Sequence, residues 1–201
     1  MNKDKKMKIK LNEIYSQLKA WRAERKITAE SQKDGYIINI MEEFGELAAA
    51  LRDYERFSKP SYPYPKNKKY AEHGIIDALC DIAIFTINAG ADIRDEYKTL
   101  SIDTTNTFSD FNCLLLYTST FDFKKILLNC AVLCEHYGFN FEIAMLETIK
   151  EISSRTGSYD EKAKKWIKDT SDEARAKWYK ADYERARLYK RGFTANIMCC
   201  G

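Results

Sequence analysis

Five carboxylates in two helical segments are the side chains of this sequence that are best suited to chemistry. Glu42, Glu43 and Glu46 lie in the first segment, and Asp77 and Asp81 lie in the second. On a helix, residues three or four positions apart are neighbours, about 5–6 Å from each other at Cβ. Each segment therefore offers a pair of acidic groups on one side of a helix.

The two aspartates indicate a site more strongly than the three glutamates do. Taken alone, the glutamates fit an ordinary solvated helix face, whereas Asp77 and Asp81 interrupt the apolar run GIIDALCDIAIFTINAG. Burying an unpaired carboxylate costs several kcal/mol, and no lysine or arginine lies between positions 72 and 93 to pair with them. We therefore expect both aspartates to have a partner from elsewhere.

A metal cation is the partner that the acidic residues predict. If the two segments pack antiparallel, up to five carboxylates converge, and two such charges ~4 Å apart repel by about 4 kcal/mol at an effective dielectric constant of roughly 20. Oxygen ligands without histidine or cysteine favour Mg²⁺, Mn²⁺ or Ca²⁺ over Zn²⁺. The Glu-x-x-His motif of di-iron bundle proteins is absent. The sequence thus predicts a Mg²⁺ site, with Mn²⁺ as a possible substitute.

The spacing of apolar residues predicts an all-α chain. The 201 residues include only 8 glycines and 3 prolines, and such a scarcity of helix breakers favours long helices. Apolar residues recur at helical spacing over residues 9–25, 35–57, 71–89, 121–137 and 140–153. We predict a bundle of four to five helices over residues 1–157, followed by a charged helical tail over 158–201.

Two stretches lack the helical pattern. Residues 58–71 hold all three prolines and are predicted to form a loop. Residues 91–120 are rich in threonine, serine, aspartate and asparagine, which indicates an irregular insertion with a short helix near 109–117. Both stretches therefore interrupt the predicted bundle.

The charge and composition argue against nucleic acid and membrane partners. The 33 basic and 30 acidic residues are interleaved and leave a net charge of +3, which is too small to indicate nucleic-acid binding. No apolar run reaches the roughly 18–20 residues of a membrane span. The start MNKDKKMKIK lacks the apolar core of a signal peptide. We therefore expect a cytoplasmic protein whose six cysteines are free thiols.

The two acidic segments resemble a known family. The blocks EEFGELAAAL and DALCDIAIFTINAG are similar to the MazG-like family of all-α nucleoside triphosphate pyrophosphohydrolases, whose pattern is E-E-x-x-E on one helix and E-x-x-D, or in some branches D-x-x-x-D, on the next. The three glutamates match the first element and Asp81 matches the closing aspartate. Ala78 stands at the glutamate position of E-x-x-D, so the chain resembles the D-x-x-x-D variants of phage and bacterial type, with Asp77 in that role.

The resemblance implies a reaction and a division of roles among the carboxylates. Members of the family cleave between the α and β phosphates of a nucleoside or deoxynucleoside triphosphate, giving a monophosphate and pyrophosphate. It implies Mg²⁺ held by Glu43, Glu46, Asp77 and Asp81, with Glu42 or Glu46 orienting or deprotonating the attacking water. A homodimer or homotetramer is also implied, because one helix pair cannot enclose a triphosphate.

The substrate phosphates would need cations from the protein as well. Lys150 and Arg155 are the first candidates, because the segment MLETIKEISSRTGSYDEKAKKWIKD also resembles the C-terminal part of several phage and bacterial members. Lys66, Lys68 and Lys69, in the loop beside the acidic segments, are the second choice. Ordinary surface charge is the alternative interpretation for all of them.

Base and sugar recognition have weaker candidates. Asn88 continues the helix face of Asp81 and is placed to hydrogen-bond a ligand, although a core asparagine fits the pattern as well. Trp21 is a candidate for contact with a base, with Tyr62 and Tyr64 as alternatives, although a tryptophan at this apolar spacing is more often part of the core.

Three alternative functions remain open at this level. Phosphoribosyl-ATP pyrophosphohydrolases cleave the same kind of bond, but the insertion and the tail argue against that compact type. A non-catalytic, metal-stabilised helical scaffold or regulatory protein would explain the acidic faces without a reaction. A nucleic-acid binder is third, because acidic residues are mixed throughout the basic, aromatic tail. Release of pyrophosphate from a panel of nucleotides separates the enzyme from the scaffold.

Overall fold

Apolar residues at helical spacing form a bundle of α-helices in the structure, a computed structural model that describes residues 3–28, 35–59, 61, 65–95, 107–163 and 165–188. The fold of these residues is all-α apart from one two-stranded hairpin. The bundle helices are α1 (Lys3–Glu24), α2 (Tyr36–Phe57), α3 (Pro65–Asn88), α4 (Thr107–Ser119), α5 (Phe123–His136) and α6 (Phe141–Ser154).

Helices α2 and α3 form an antiparallel pair. The Tyr36 hydroxyl at the start of α2 donates to the carbonyl oxygen of Asn88 at the end of α3, at 3.0 Å. Gly74 allows the two helices to approach closely, because a Cβ at this position would lie 3.3 Å from the Ala50 Cβ. The two acidic segments of the sequence therefore lie on adjacent, antiparallel helices.

Helix α3 is the centre of the hydrophobic core. It packs against α2, α5 and α6, and its aliphatic residues are buried on nearly all sides, including Ile75, Ile76, Leu79 and Ile82. Burying each such side chain contributes about 1.5–3 kcal/mol. Because α3 is covered on several sides, the position and direction of its few polar side chains are fixed by the packing of its neighbours.

The turn between α5 and α6 anchors the end of the described chain. Gly138 has a φ of +83°, which a glycine adopts without strain, and the Asn140 side chain caps α6 by accepting from the Ile143 N–H. The Asn140 N–H donates to the Ala186 carbonyl and the Leu188 N–H donates to the Gly138 carbonyl, both at 2.7 Å. The C-terminal segment is thereby held against the bundle.

Helices α1 and α3 begin earlier than the sequence predicts, and α1 begins at Lys3 instead of residue 9. Helix α3 begins at Pro65, inside the stretch predicted as a loop, because proline is tolerated at the first position of a helix, where its missing N–H would have no partner. The short helix predicted near 109–117 is confirmed as helix α4 (Thr107–Ser119), which packs on α5. Residues 96–106, Tyr62 and Tyr64 lie outside the described residues.

The C-terminal segment begins with a hairpin, where the sequence predicts a helical tail. Strands β1 (Gly157–Asp160) and β2 (Lys165–Lys168) pair antiparallel, with Tyr159 opposite Trp166. Aromatic residues favour strands, and the Asp160 carboxylate accepts from the backbone N–H groups of Lys162 and Ala163, which closes the turn. A short helix α7 (Asp172–Lys177) and a 3-10 turn (Tyr183–Ala186) follow.

None of the helices in the described ranges is both long and apolar enough to cross a membrane. The cysteines at positions 80, 113, 130 and 134 are free thiols, as the sequence predicts, and three of them are buried.

Candidate functional site

A cavity of about 320 Å³ lies where the helices carrying the acidic residues meet α1, α6 and the hairpin. Its wall includes five residues that the sequence singles out from separate parts of the chain, and these are Trp21, Glu43, Asp81, Asn88 and Arg155. The fold therefore brings two of the predicted metal ligands together with three of the predicted substrate contacts.

Glu43 of α2 and Asp81 of α3 are the carboxylates that line this cavity. Burial raises the pKa of Glu43 to about 7, and the negative charges of Glu46, Asp77 and Glu42 add to the rise. Burial also raises the pKa of Asp81 well above its ordinary value, helped by the charges of Asp77 and Glu43. Because like charges confront each other here, a proton or a cation stabilises the pair.

Asp77 lies one helical turn before Asp81 and is held from the other side. The Tyr183 hydroxyl donates a hydrogen bond to the Asp77 carboxylate, and the Tyr183 oxygen is 3.0 Å from Thr148 Oγ1. Burial raises the pKa of Asp77, and the hydrogen bond from Tyr183 partly offsets this rise. Asp77 is therefore oriented by a residue of the 3-10 turn.

Glu42 and Glu46 are exposed on α2, outside the wall of the cavity. Their charges still act on Glu43, and that of Glu46 also acts on Asp77. Glu42 and Glu46 are the residues that the family resemblance implies for orienting or deprotonating the attacking water. They are close enough to influence the buried carboxylates electrostatically, and they remain accessible to solvent.

The carboxylates fit a hard divalent cation in chemical type, although their present arrangement does not enclose one. Among the described residues, no group of three or more acidic, histidine or cysteine side chains is placed to hold a metal ion. The donors at the cavity are oxygen atoms only, the set that Mg²⁺ and Mn²⁺ prefer. Burial raises the pKa values of Glu43 and Asp81, and repulsion by neighbouring carboxylates adds to the rise; a bound cation would relieve that repulsion.

Arg155 brings a positive charge to the same cavity. Its guanidinium donates to Glu151 at 3.0 Å, and its charge lowers the pKa values of Glu43 and Asp81. Burial raises the pKa of Glu151, but hydrogen bonds from the Ala181 N–H and from Arg155 offset this and leave the pKa below its ordinary value. The ionised Glu151 carboxylate therefore fixes Arg155 in place.

Lys150, the other first-choice cation, lies elsewhere. Its ammonium group is 3.6 Å from the centre of the Tyr179 ring, its side chain is exposed, and it is not part of the cavity wall. The second-choice lysines Lys66, Lys68 and Lys69 are also outside this wall. Lys68 contacts the ring of Tyr54 at 5.1 Å.

Asn88 and Trp21 are fixed at the cavity. The Asn88 carbonyl accepts hydrogen bonds from Tyr36 and from Arg22, at 3.0 and 3.3 Å, whereas its buried side-chain oxygen has no hydrogen-bond partner within the described chain. The Trp21 indole N–H donates to the Ile152 carbonyl at 3.3 Å. Asn88 therefore offers a free acceptor to a ligand, and Trp21 offers an immobilised ring.

Arg25 and the hairpin are parts of the site that the sequence did not reveal. Arg25 is 2% exposed, and its guanidinium lies 5.1 Å from the ring centres of both Trp21 and Trp166. It also donates to the carbonyl oxygens of Ser153 and Arg155, at 3.4 and 3.1 Å. Arg25 thereby joins α1, the end of α6 and the hairpin around one cavity. A single arginine after an amphipathic helix has no distinguishing signal in the sequence.

Comparison of the chain with models of protein families, with characterised proteins and with solved structures found no match.

Proposed function

We propose that this chain is a Mg²⁺-dependent, MazG-like nucleoside triphosphate pyrophosphohydrolase, which converts a nucleoside or deoxynucleoside triphosphate to the monophosphate and pyrophosphate. The observation that carries the proposal is the sharing of one cavity by two carboxylates and a cation. Glu43 and Asp81 line it from α2 and α3, and Arg155 lines it from the end of α6. Such a cavity suits an anionic substrate that arrives with a divalent metal.

The carboxylates Glu43, Glu46, Asp77 and Asp81 would hold the metal. When bound, Mg²⁺, or Mn²⁺ in its place, neutralises phosphate oxygens and lowers the pKa of a coordinated water. The raised pKa values of Glu43, Asp77 and Asp81 support this assignment, because they reflect burial and an excess of negative charge at the place where the cation is needed.

The remaining residues of the cavity would bind and orient the substrate. Arg155, kept in position by Glu151, would contact the phosphates. The unpartnered Asn88 side-chain oxygen would accept a hydrogen bond from an N–H or O–H group of the base or sugar, and the ring of Trp21 would contact the base. Glu42 or Glu46 would orient the attacking water from the solvent side of α2.

A homodimer or homotetramer is part of the proposal. Helix α2 exposes Ile38 and Met41, whose relative accessible areas are 61% and 57%; they are three residues apart and thus on one face of the helix. Two exposed large apolar residues beside the acidic face are consistent with a second copy covering the open side of the site.

Pyrophosphate release from a panel of the eight common NTPs and dNTPs, with phosphoribosyl-ATP added, tests the proposal. We expect Mg²⁺-dependent release from at least one nucleotide, loss of it in Glu46→Gln and Asp81→Asn, and retention in Glu55→Gln, a charge-matched change at another exposed position of α2. Far-ultraviolet circular dichroism checks that the helices persist. Absence of release from every nucleotide would favour the helical scaffold.

A further inference from the structure

The hairpin contributes two lysines to the cavity, and the proposed function described above does not use either of them. Lys165 and Lys168 of β2 line the cavity together with Glu43, Asp81 and Arg155. Neither lysine forms a direct ion pair among the described residues, although Lys165 is the cross-strand partner of Asp160 and its charge helps to lower the pKa of that carboxyl. Without a direct ion pair, both lysines can still attract an anion inside the cavity.

Several cations crowd around Lys168. Burial and the positive charges of Arg155, Arg175 and Lys180 lower the pKa of Lys168, and the charge of Asp81 opposes this shift. Arg155 and Lys180 share the Glu151 carboxylate, so one carboxylate serves two of these cations. The Lys168 ammonium and the Arg155 guanidinium lie 5.4 and 5.8 Å from the centre of the same Trp178 ring. An anion placed between these groups would relieve their repulsion.

Two buried N–H donors at this place also lack an acceptor. The Arg155 Nε and the Trp178 Nε1 atoms are shielded from solvent and have no hydrogen-bond partner among the described residues. Buried donors are normally paired, because an unpaired one loses the hydrogen bond that it makes to water. Arg155 is part of the cavity wall and Trp178 is not, so the unpaired Arg155 N–H is the donor that an anion in this cavity could satisfy.

The separation of the lysines indicates the kind of anion. Three residues along a strand correspond to roughly 10 Å of backbone, so the backbone positions of Lys165 and Lys168 are separated along the cavity wall. A chain of linked phosphates is long enough to contact both lysines and Arg155 at once, and it offers more anionic oxygens than one orthophosphate does.

We propose that Lys165, Lys168 and Arg155 form a polyphosphate-binding wall, and that β2 is the element that receives the β and γ phosphates of the substrate. The identification of the bound phosphates as those of a nucleotide rests on the proposed function, whereas the binding of a condensed phosphate to this wall does not. The wall receives the leaving pyrophosphate, while the carboxylates of α2 and α3 serve the α-phosphate end.

Calorimetric titration of the full chain with inorganic triphosphate, without divalent cations, tests the wall directly. We expect triphosphate to bind, orthophosphate to bind at least about tenfold more weakly, and the double variant Lys165→Gln/Lys168→Gln to lose about tenfold or more of the triphosphate affinity, because charge-assisted contacts to phosphate are removed. The matched control is Lys162→Gln/Lys177→Gln, which removes two exposed lysines outside the cavity and should bind as the unaltered chain does.

The outcomes separate the wall from the reaction. Absence of triphosphate binding by the unaltered chain, or equal weakening in both double variants, overturns the wall. If the chain binds triphosphate through these lysines but releases no pyrophosphate from nucleotides, the proposed polyphosphate-binding wall is supported and the proposed reaction is wrong. If the chain hydrolyses a nucleotide and Lys165→Gln/Lys168→Gln leaves KM unchanged, the reaction stands and the wall is wrong. Equal melting temperatures of the two double variants exclude unfolding as the cause.

Discussion

The hydroxyl of Tyr183 donates a hydrogen bond to the carboxylate of Asp77, over a sequence separation of 106 residues. Tyr183 is 4% exposed and belongs to the 3-10 turn that packs against α6. The C-terminal segment therefore sets the environment of an acidic residue in the central helix. This contact makes the segment part of the site and not only a covering of the bundle.

Tyr183→Phe is expected to lower the free energy of unfolding by about 1–3 kcal/mol, because it leaves a half-buried carboxylate without its donor. The hydrogen bond lowers the pKa of Asp77, so it favours the ionised form, and its loss should destabilise the protein more at pH 8 than at pH 5. Urea denaturation at the two pH values, followed by circular dichroism, measures the difference.

Tyr179→Phe is the matched control for this change. It removes a hydroxyl that donates to Glu147, away from the carboxylates of α2 and α3. Both variants should lose stability, but only Tyr183→Phe should weaken the stabilisation by Mg²⁺. Equal stabilisation of both variants by Mg²⁺ would show that Asp77 is not part of the metal site.

Stability without divalent cations is expected to fall as the pH rises from about 4.5 to about 7. The pKa of Glu43 is raised to about 7 in the folded protein, from 4.5, so the folded state binds more protons than the unfolded state within this window. Under that condition the free energy of unfolding decreases with increasing pH. Glu151 and Glu184 have lowered pKa values, so their contribution is lost only at more acidic pH.

Glu43→Gln tests the source of this slope. Urea denaturation of Glu43→Gln between pH 4.5 and 7.5 in a chelator should show a shallower decline than the unaltered protein does, whereas Glu55→Gln should keep the full slope. Parallel curves for the unaltered protein and Glu43→Gln would mean that Glu43 does not hold its proton in the folded state.

Magnesium is expected to raise the melting temperature at pH 7.5. A ligand at 100 times its Kd adds about 2.7 kcal/mol, which for a chain of this size corresponds to a shift on the order of 5–10 °C. Asp81→Asn should raise the melting temperature in a chelator, because it removes a repelling charge, and should reduce the effect of Mg²⁺. Differential scanning calorimetry with millimolar MgCl₂ measures both. The absence of any shift in the unaltered chain contradicts a carboxylate metal site.

Arg25→Met is expected to destabilise the protein by about 1–3 kcal/mol, since the carbonyl oxygens of Ser153 and Arg155 lose their donor. The hairpin should loosen at the same time, because Arg25 contacts the Trp166 ring at 5.1 Å. Hydrogen exchange followed by mass spectrometry should then show faster exchange across both strands. Arg52→Met, at an exposed position of α2, should change stability by no more than about 0.5 kcal/mol.

The placement of the acidic residues could be predicted from the sequence because its signal is local. Asp77 and Asp81 are polar residues in an apolar helix, and Glu43 lies on a strip of α2 opposite the apolar stripe, so periodicity alone places them on particular helix faces. The antiparallel pairing of α2 and α3 follows from a short connection between them. The helix faces and the antiparallel pairing together predict that Glu43 and Asp81 lie close to each other.

The cationic and aromatic part could not be predicted in the same way. Trp166 and Lys168 reach the cavity because the hairpin folds back towards Arg25 at the end of α1, and such long-range contacts leave no periodic pattern. The prolines of residues 58–71 predict a loop, although Pro65 begins α3. Lys150 and Arg155 look equivalent in the sequence, and only the end of α6 turns Arg155 towards the carboxylates.

Arg155 and Lys150 should therefore differ in their effect on catalysis. Arg155 lines the cavity, whereas Lys150 contacts the Tyr179 ring at 3.6 Å. If the chain hydrolyses nucleotides, Arg155→Gln should raise KM by about tenfold or more, since a phosphate contact is lost, and Lys150→Gln should change KM by less than about twofold. Pyrophosphate release at increasing nucleotide concentration gives both constants. Because Arg155→Gln also breaks the ion pair with Glu151, its melting temperature must be measured alongside, and a comparable rise of KM in Lys150→Gln would show that the phosphates lie on the Tyr179 side of α6.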